Sequence, residues 1–169
     1  MSTRPECRSD GRTWIGPSAR ERLAILRSTH TVAMVGASAN PARPSNFVAT
    51  YLLSSTDYDV YFVNPAGGEV LGRRVYPSLA EVPVVPDLVD VFRRHEELGG
   101  VLDETIAVGA STLWLQLGLW HEGVAVAAEH AGMAVVMDRC VKIEHARFHG
   151  GLHLAGFDTG VITSRRTLR

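Results

Sequence analysis

The segment "TVAMVGASANPARPS" (31–45) has the composition of a phosphate-holding turn. Gly36 permits a tight turn and close backbone approach, and Ser38 brings a hydroxyl. The backbone amides from Gly36 onward lead to Ser45, the expected N-cap of the next helix, where an anion meets aligned N–H groups. Arg43 adds charge. The segment lacks the later glycines of the G-x-G-x-x-G fingerprint. A nicotinamide dinucleotide domain also places Asp or Glu on the ribose about twenty residues further on, at the end of the next strand. Here that position is Asn64, followed by Pro65. Both departures favour a nucleotide pyrophosphate with a different ribose.

Other reactive side chains follow later apolar runs. Phe92-Arg93-Arg94, Gln116-Leu117-Gly118 and Asp138-Arg139-Cys140 each close such a run. If Arg93 and Arg94 continue a strand, they point to opposite faces, so one faces a ligand and the other a surface carboxylate. Trp114 and Trp120 could line a groove, but a tryptophan in an apolar strand is more often core. Cys140 could meet a ligand thiol; a free, partly buried cysteine is the commoner state. His145, His149 and His153 recur every fourth residue, yet Gly150 and Gly151 interrupt a helix there, and H-E-x-x-H is absent. No metal is expected. No G-x-S-x-G elbow or readable acid–base pairing points to a catalytic group.

The elements that must position these residues alternate. "TVAMVG" (31–36), "DVYFVNP" (59–65), "LVDVFRR" (88–94), "STLWLQLG" (111–118) and "MAVVMDR" (133–139) are rich in apolar residues and short enough for buried parallel strands. Helices are expected over "PSARERLAILRSTH" with Ser18 as N-cap, "SNFVATYLLSS", "EELGGVLDETIAVGA" and "HEGVAVAAEHAG" closed by Gly132. "AGGEVLGRRVYPSLAEVP" reads as a glycine-rich loop with a short extended piece and one helical turn. The pattern predicts an α/β domain: a Rossmann-like, doubly wound sheet of about five parallel strands with helices on both faces. In such a sheet a ligand lies beyond the carboxyl ends of the strands, where all five runs end in polar or loop-forming residues.

A chain of 169 residues with 46% hydrophobic content is the size of one well-cored domain. Residues 1–17 are expected to form a flexible tail docked at Trp14 and Ile15, residues 18–147 the domain, and residues 148–169 an extension. A net charge of -1 gives no footprint for nucleic acid or an anionic membrane. No apolar run spans a bilayer, and the N-terminal segment is too polar for a secretory signal, so a cytoplasmic location is expected. Cys7 and Cys140 form no C-x-x-C pair. Sixteen Arg against one Lys, Lys142, read as codon bias without chemical weight.

In order and spacing, "VGASANPARPS", "YFVNPAGGEVLGRRVYPSL", "DVFRR", "LWLQLG" and "VVMDRC" resemble the small stand-alone coenzyme A (CoA)-binding proteins related to the N-terminal domain of succinyl-CoA synthetase α subunits. The resemblance covers about residues 20–147. It implies CoA or an acyl-CoA as ligand, a phosphate loop on Gly36, Ala37 and Ser38, a nucleotide-side loop on Asn64, Pro65, Ala66 and Gly67, and further contacts at Phe92 and Arg93. Nothing corresponds to the ligase's second, phosphohistidine-bearing domain. The resulting expectation is a non-catalytic CoA-binding sensor, carrier or partner-dependent subunit, with residues 148–169 wrapping the domain or making a dimer contact. The alternatives are an NAD(P)-binding oxidoreductase and an acyl-CoA ligase component.

Overall fold

The computed structural model describes residues 11–149. The five expected runs form strands β1 (Thr31–Val35), β2 (Asp59–Val63), β5 (Leu88–Val91), β6 (Thr112–Leu115) and β7 (Ala134–Val136), all paired in parallel. Two more strands, β3 (Glu69–Val70) and β4 (Arg73–Tyr76), arise in the glycine-rich segment as an antiparallel hairpin. Its turn places Leu71 at φ 50° and Gly72 at φ 75°, the paired positive angles of a two-residue hairpin turn. β4 then pairs in parallel with β2. The described sheet thus has seven strands rather than about five, in the order β3-β4-β2-β1-β5-β6-β7.

Both sheet faces are covered because both strand parities are apolar. On one face Ala33, Val35, Val89, Val91 and Leu113 meet α3 (Leu98–Val108) and α4 (Glu122–His130). On the other, Val32, Met34, Leu88 and Trp114 meet α1 (Ala19–Ser28), α2 (Pro44–Ser55) and α5 (Val141–His149). The helices end where local chemistry dictates. Ser18 caps α1 in a capping box with Glu21, and Gly109, at φ 76°, closes α3 despite Gly99 and Gly100 in its first turn. α2 departs from expectation. Arg43 holds the N-cap position, Pro44 opens the helix with its fixed φ, and Ser45 lies inside the first turn.

α5 has no counterpart among the expected helices. It is tied to α1 by a buried carboxylate: Glu144, 2% exposed, accepts from Arg22 Nε at 2.8 Å and lies 3.3 and 3.4 Å from Arg139 and Arg147. His145 meets the Tyr51 hydroxyl at 3.0 Å, and Phe148 is buried beside them. Of the leader, Trp14 docks edge-on against Trp120 and donates to Glu129, whereas Ile15 is 80% exposed. Trp114 is fully buried core and donates to the Arg139 carbonyl. Cys7, His153 and the apolar residues expected to pack from the extension, Leu152, Leu154, Phe157, Val161 and Ile162, lie outside the described residues.

Two buried acids make the fold testable. Asp90 in β5 is inaccessible to solvent; its Oδ1 accepts from the Gln116 side-chain amide, and its Oδ2 has no partner. Burial pushes this carboxyl up to about 7, against the opposing pull of the Gln116 hydrogen bond. An unfolded aspartate titrates near 3.9, so between about pH 4 and 7 the native state holds a proton that unfolding releases, and stability falls as pH rises. Relative to Asp90→Asn, the wild type is expected to lose on the order of 2–4 kcal/mol across that window in denaturant titrations; a constant difference would contradict this. For Glu144→Ala, which strands the buried Arg22, a loss of about 3–5 kcal/mol is expected, and a wild-type midpoint would remove Glu144 from the stabilising network.

Candidate functional site

The chain leaves β1 for β2 on one side and later enters β5 on the other, so strand order reverses between β1 and β5. A cleft of about 890 Å³ opens at that point, beyond the carboxyl ends of the strands. Its narrowest joint is Gly36, at φ 89°. A Cβ there would come within 2.4 Å of the Phe92 carbonyl oxygen, so only glycine lets the ends of β1 and β5 meet.

The loop above this joint divides its amides between structure and solvent. Gly36 and Ala37 both donate to the Val63 carbonyl, at 2.9 and 3.3 Å. Their amides are therefore committed to the β1–β2 corner, which corrects the expectation that phosphate-facing donors begin at Gly36. Asn40 donates to the Ser38 hydroxyl and Ala42 to the Asn40 side chain, folding the loop on itself. The amides of Ser38, Ala39 and Ser45 have no partner among the described residues. They are the donors this corner leaves for an anion at the start of α2.

Eight of the twelve expected residues line the cleft together: Gly36, Ser38, Arg43, Ser45, Asn64, Phe92, Arg93 and Gln116. Ala37 is buried beneath the loop, and Pro65, Ala66 and Gly67 form a turn outside the lining. Asn64 is a brace: its amide nitrogen donates to the Ala37 carbonyl at 2.9 Å, and its oxygen accepts from Ala66 at 3.0 Å. The arginines differ from the alternating-face argument. β5 ends at Val91, so Arg93 and Arg94 lie in the following loop, and both border the cleft. Arg93 is half-buried and bonds Glu97 at 2.7 Å; Arg94, whose side chain is 80% exposed, pairs more loosely with Glu96 and Glu97. Arg43 has no ion-pair partner among the described residues, leaving its charge available to the cleft.

Sequence reasoning set Leu117 and Cys140 on the ligand edge, and both line the cleft, but it missed Pro44, Phe47, Val48, Glu97, Leu119, Lys142 and Ile143, which line it too. Phe47, Leu117 and Ile143 are 63%, 60% and 48% exposed, an apolar rim left open to water. The lone lysine, discounted as codon bias, sits there with its ammonium 3.6 Å from the centre of the Phe47 ring; its rarity was the available signal. Burial pushes the Cys140 thiol up and the nearby Asp90 charge adds to this, while the Ile143 and Lys142 backbone N–H groups pull the other way. Trp114 and Trp120 do not border the cleft. Among the described residues, no three His, Cys, Asp or Glu side chains gather as metal ligands, and no helix is long and apolar enough to cross a membrane.

Comparison with known proteins agrees with this geometry. A family model described as "CoA binding domain" matches residues 30–146. The uncharacterised protein YneT of Bacillus subtilis is 37% identical over 130 residues, covering 77% of this chain and 96% of its own. A solved hypothetical protein from Pyrococcus horikoshii is 36% identical with a TM-score of 0.75, covering 89% of this chain and 99% of that one. A dinucleotide-forming acetyl-coenzyme A synthetase from Korarchaeum cryptofilum, solved with phosphate and ADP, is 25% identical with a TM-score of 0.61; the match covers 68% of this chain and 26% of the synthetase. The ordered motifs, the seven-stranded sheet and a family match over most of the domain converge: the chain belongs to the CoA binding domain family.

Proposed function

We propose that the cleft binds CoA or an acyl-CoA, and that the chain acts as a CoA-binding sensor, carrier or partner-dependent subunit without catalysis of its own. The observation that carries this reading is the corner between β1 and α2. Ser38 and Ser45, whose amides have no partner among the described residues, border the cleft together with Arg43, which has no ion-pair partner among them, and Phe47, Leu117 and Ile143 form its exposed apolar rim. A ligand with a pyrophosphate at one end and a long, mostly uncharged arm matches that polarity. Asn64 supports CoA over a nicotinamide dinucleotide. It is neutral and occupied as a brace, so no carboxylate stands there to hold a ribose diol or to repel a ribose phosphate. Residues 18–147 would form the binding unit, working in the cytoplasm, with the extension from 148 onward as the candidate contact to a second copy or a partner protein.

Titration calorimetry tests the assignment. CoA is expected to bind more tightly than dephospho-CoA, with NAD weaker still; tighter NAD binding would overturn it. Arg43→Ala, which removes a charge-assisted contact, should weaken CoA binding by roughly ten- to hundredfold, and Arg93→Ala should narrow the gap between CoA and dephospho-CoA. Equal affinity of the wild type for those two ligands would remove the arginines from ribose-phosphate recognition while leaving pyrophosphate binding intact.

A further inference from the structure

Three consecutive residues ahead of α1 are each fastened to the loops that follow β6 and β7, or to α4. Arg12 Nη1 donates to Asp138 Oδ2 at 2.9 Å, and its guanidinium lies 4.1 Å from the centre of the Trp120 ring. Thr13 donates twice to Glu122, its amide to Oε1 at 2.7 Å and its hydroxyl to Oε2 at 2.5 Å. Trp14 meets the Trp120 ring edge-on at 5.6 Å between centres and donates to Glu129 at 3.1 Å. Gly16 lets the Trp14 ring fold back onto the segment, since a Cβ at that position would sit 2.8 Å from it. A single exposed ion pair would hold such a segment weakly. Here a guanidinium stacked on an aromatic face, a doubly bonded carboxylate and an aromatic pair act on adjacent residues.

Arg12, Thr13 and Trp14 do not line the cleft, but their partners tie its walls together. Asp138 stands in the left-handed region at φ 55°, a conformation that aspartate tolerates better than most residues. Its Oδ1 accepts from the Gly118 amide at 2.8 Å, and its own amide donates to the Leu119 carbonyl at 3.1 Å, which joins the loop after β7 to the loop after β6. The Trp120 carbonyl accepts from His95 Nε2 at 3.0 Å, and the next residue, His121, stacks on the His95 ring at 4.9 Å between centres. Those contacts join the loop after β6 to the loop after β5. The three loops so joined bring Arg93 and Glu97, Leu117 and Leu119, and Lys142 and Ile143 to the cleft.

We propose that Arg12–Trp14 is a strap that sets the affinity of the cleft by fixing these three loops, so that strap docking and ligand binding reinforce each other. The inference rests on the CoA reading above. The strap residues are positioning residues and touch no ligand. With the strap in place, Asp138 has both oxygens engaged and the Trp120 ring is covered by a cation on its face and an indole beside it. When the strap leaves, Asp138 keeps only the Gly118 contact to hold its unusual backbone angle, and Trp120 turns an open face to water. The loops then sample more arrangements, and a ligand that fits one of them must impose the order itself, which weakens binding. Because coupling between two binding events is reciprocal, a bound ligand tightens the strap by the same factor.

Titration calorimetry and limited trypsin digestion test this on the full chain. Arg12→Ala and, independently, Trp14→Ala should each weaken CoA binding by about tenfold. Saturating CoA should slow tryptic cleavage of the wild type after Arg12 by about the same factor, since the protease reads the undocked fraction. If CoA binds the wild type and both variants equally well, or leaves cleavage after Arg12 unchanged, the strap is overturned and CoA binding stands. A lowered unfolding midpoint with unchanged CoA affinity would also overturn it, leaving the segment a purely structural contact. Failure of the wild type to bind CoA would overturn the functional reading itself, and this inference with it.

Discussion

No side chain fits between the ends of β1 and β5. The hydrogen-only position at Gly36, against the Phe92 carbonyl, lets two parallel strands converge at the point where the chain reverses its direction across the sheet. Everything at the site follows from that joint. It lifts Ser38 and the start of α2 above the strand ends, sets Phe92 and Arg93 as the opposite wall, and allows Asn64 to bridge the two loops from the side. The sheet supplies a rigid floor, and the short loops inherit its geometry, which gives a binding site its precision.

The electrostatics of the cleft are local. A chain with near-zero net charge attracts no anion from a distance; the positive potential of the cleft resides in a few amides and in Arg43, which has no carboxylate partner among the described residues. Carboxylates elsewhere are committed: Glu97 to Arg93 and Arg94, Glu144 to three arginines, and Asp138 to Arg12 and the Gly118 amide. Among the buried carboxylates described, Asp90 is the exception, with one oxygen left without a partner.

Much of this was legible in the residues. Both strand parities in "TVAMV" and "TLWLQ" are apolar, which marks a strand buried on two faces, and the polar residue closing each run falls on the ligand edge. What escaped did so for physical reasons. α5 buries Glu144 and His145 between Val141 and Phe148 and exposes Ile143, so polar residues interrupt its inward face and the apolar periodicity that would announce a helix is broken. The β3–β4 turn uses Leu71 at a positive φ where glycine or asparagine is the usual signal. The amides of Gly36 and Ala37 look available in sequence; only the approach of Val63 shows that they are occupied. Arg94 reached the cleft because the strand stops before it, a boundary that side-chain alternation cannot reveal.

The central claim is that this cleft takes a CoA-type ligand, and the most direct measurement is non-denaturing mass spectrometry of the gently purified protein, before any ligand is added. The account predicts a bound species with the mass of CoA or one of its thioesters, released on unfolding. A nicotinamide dinucleotide in its place would contradict it.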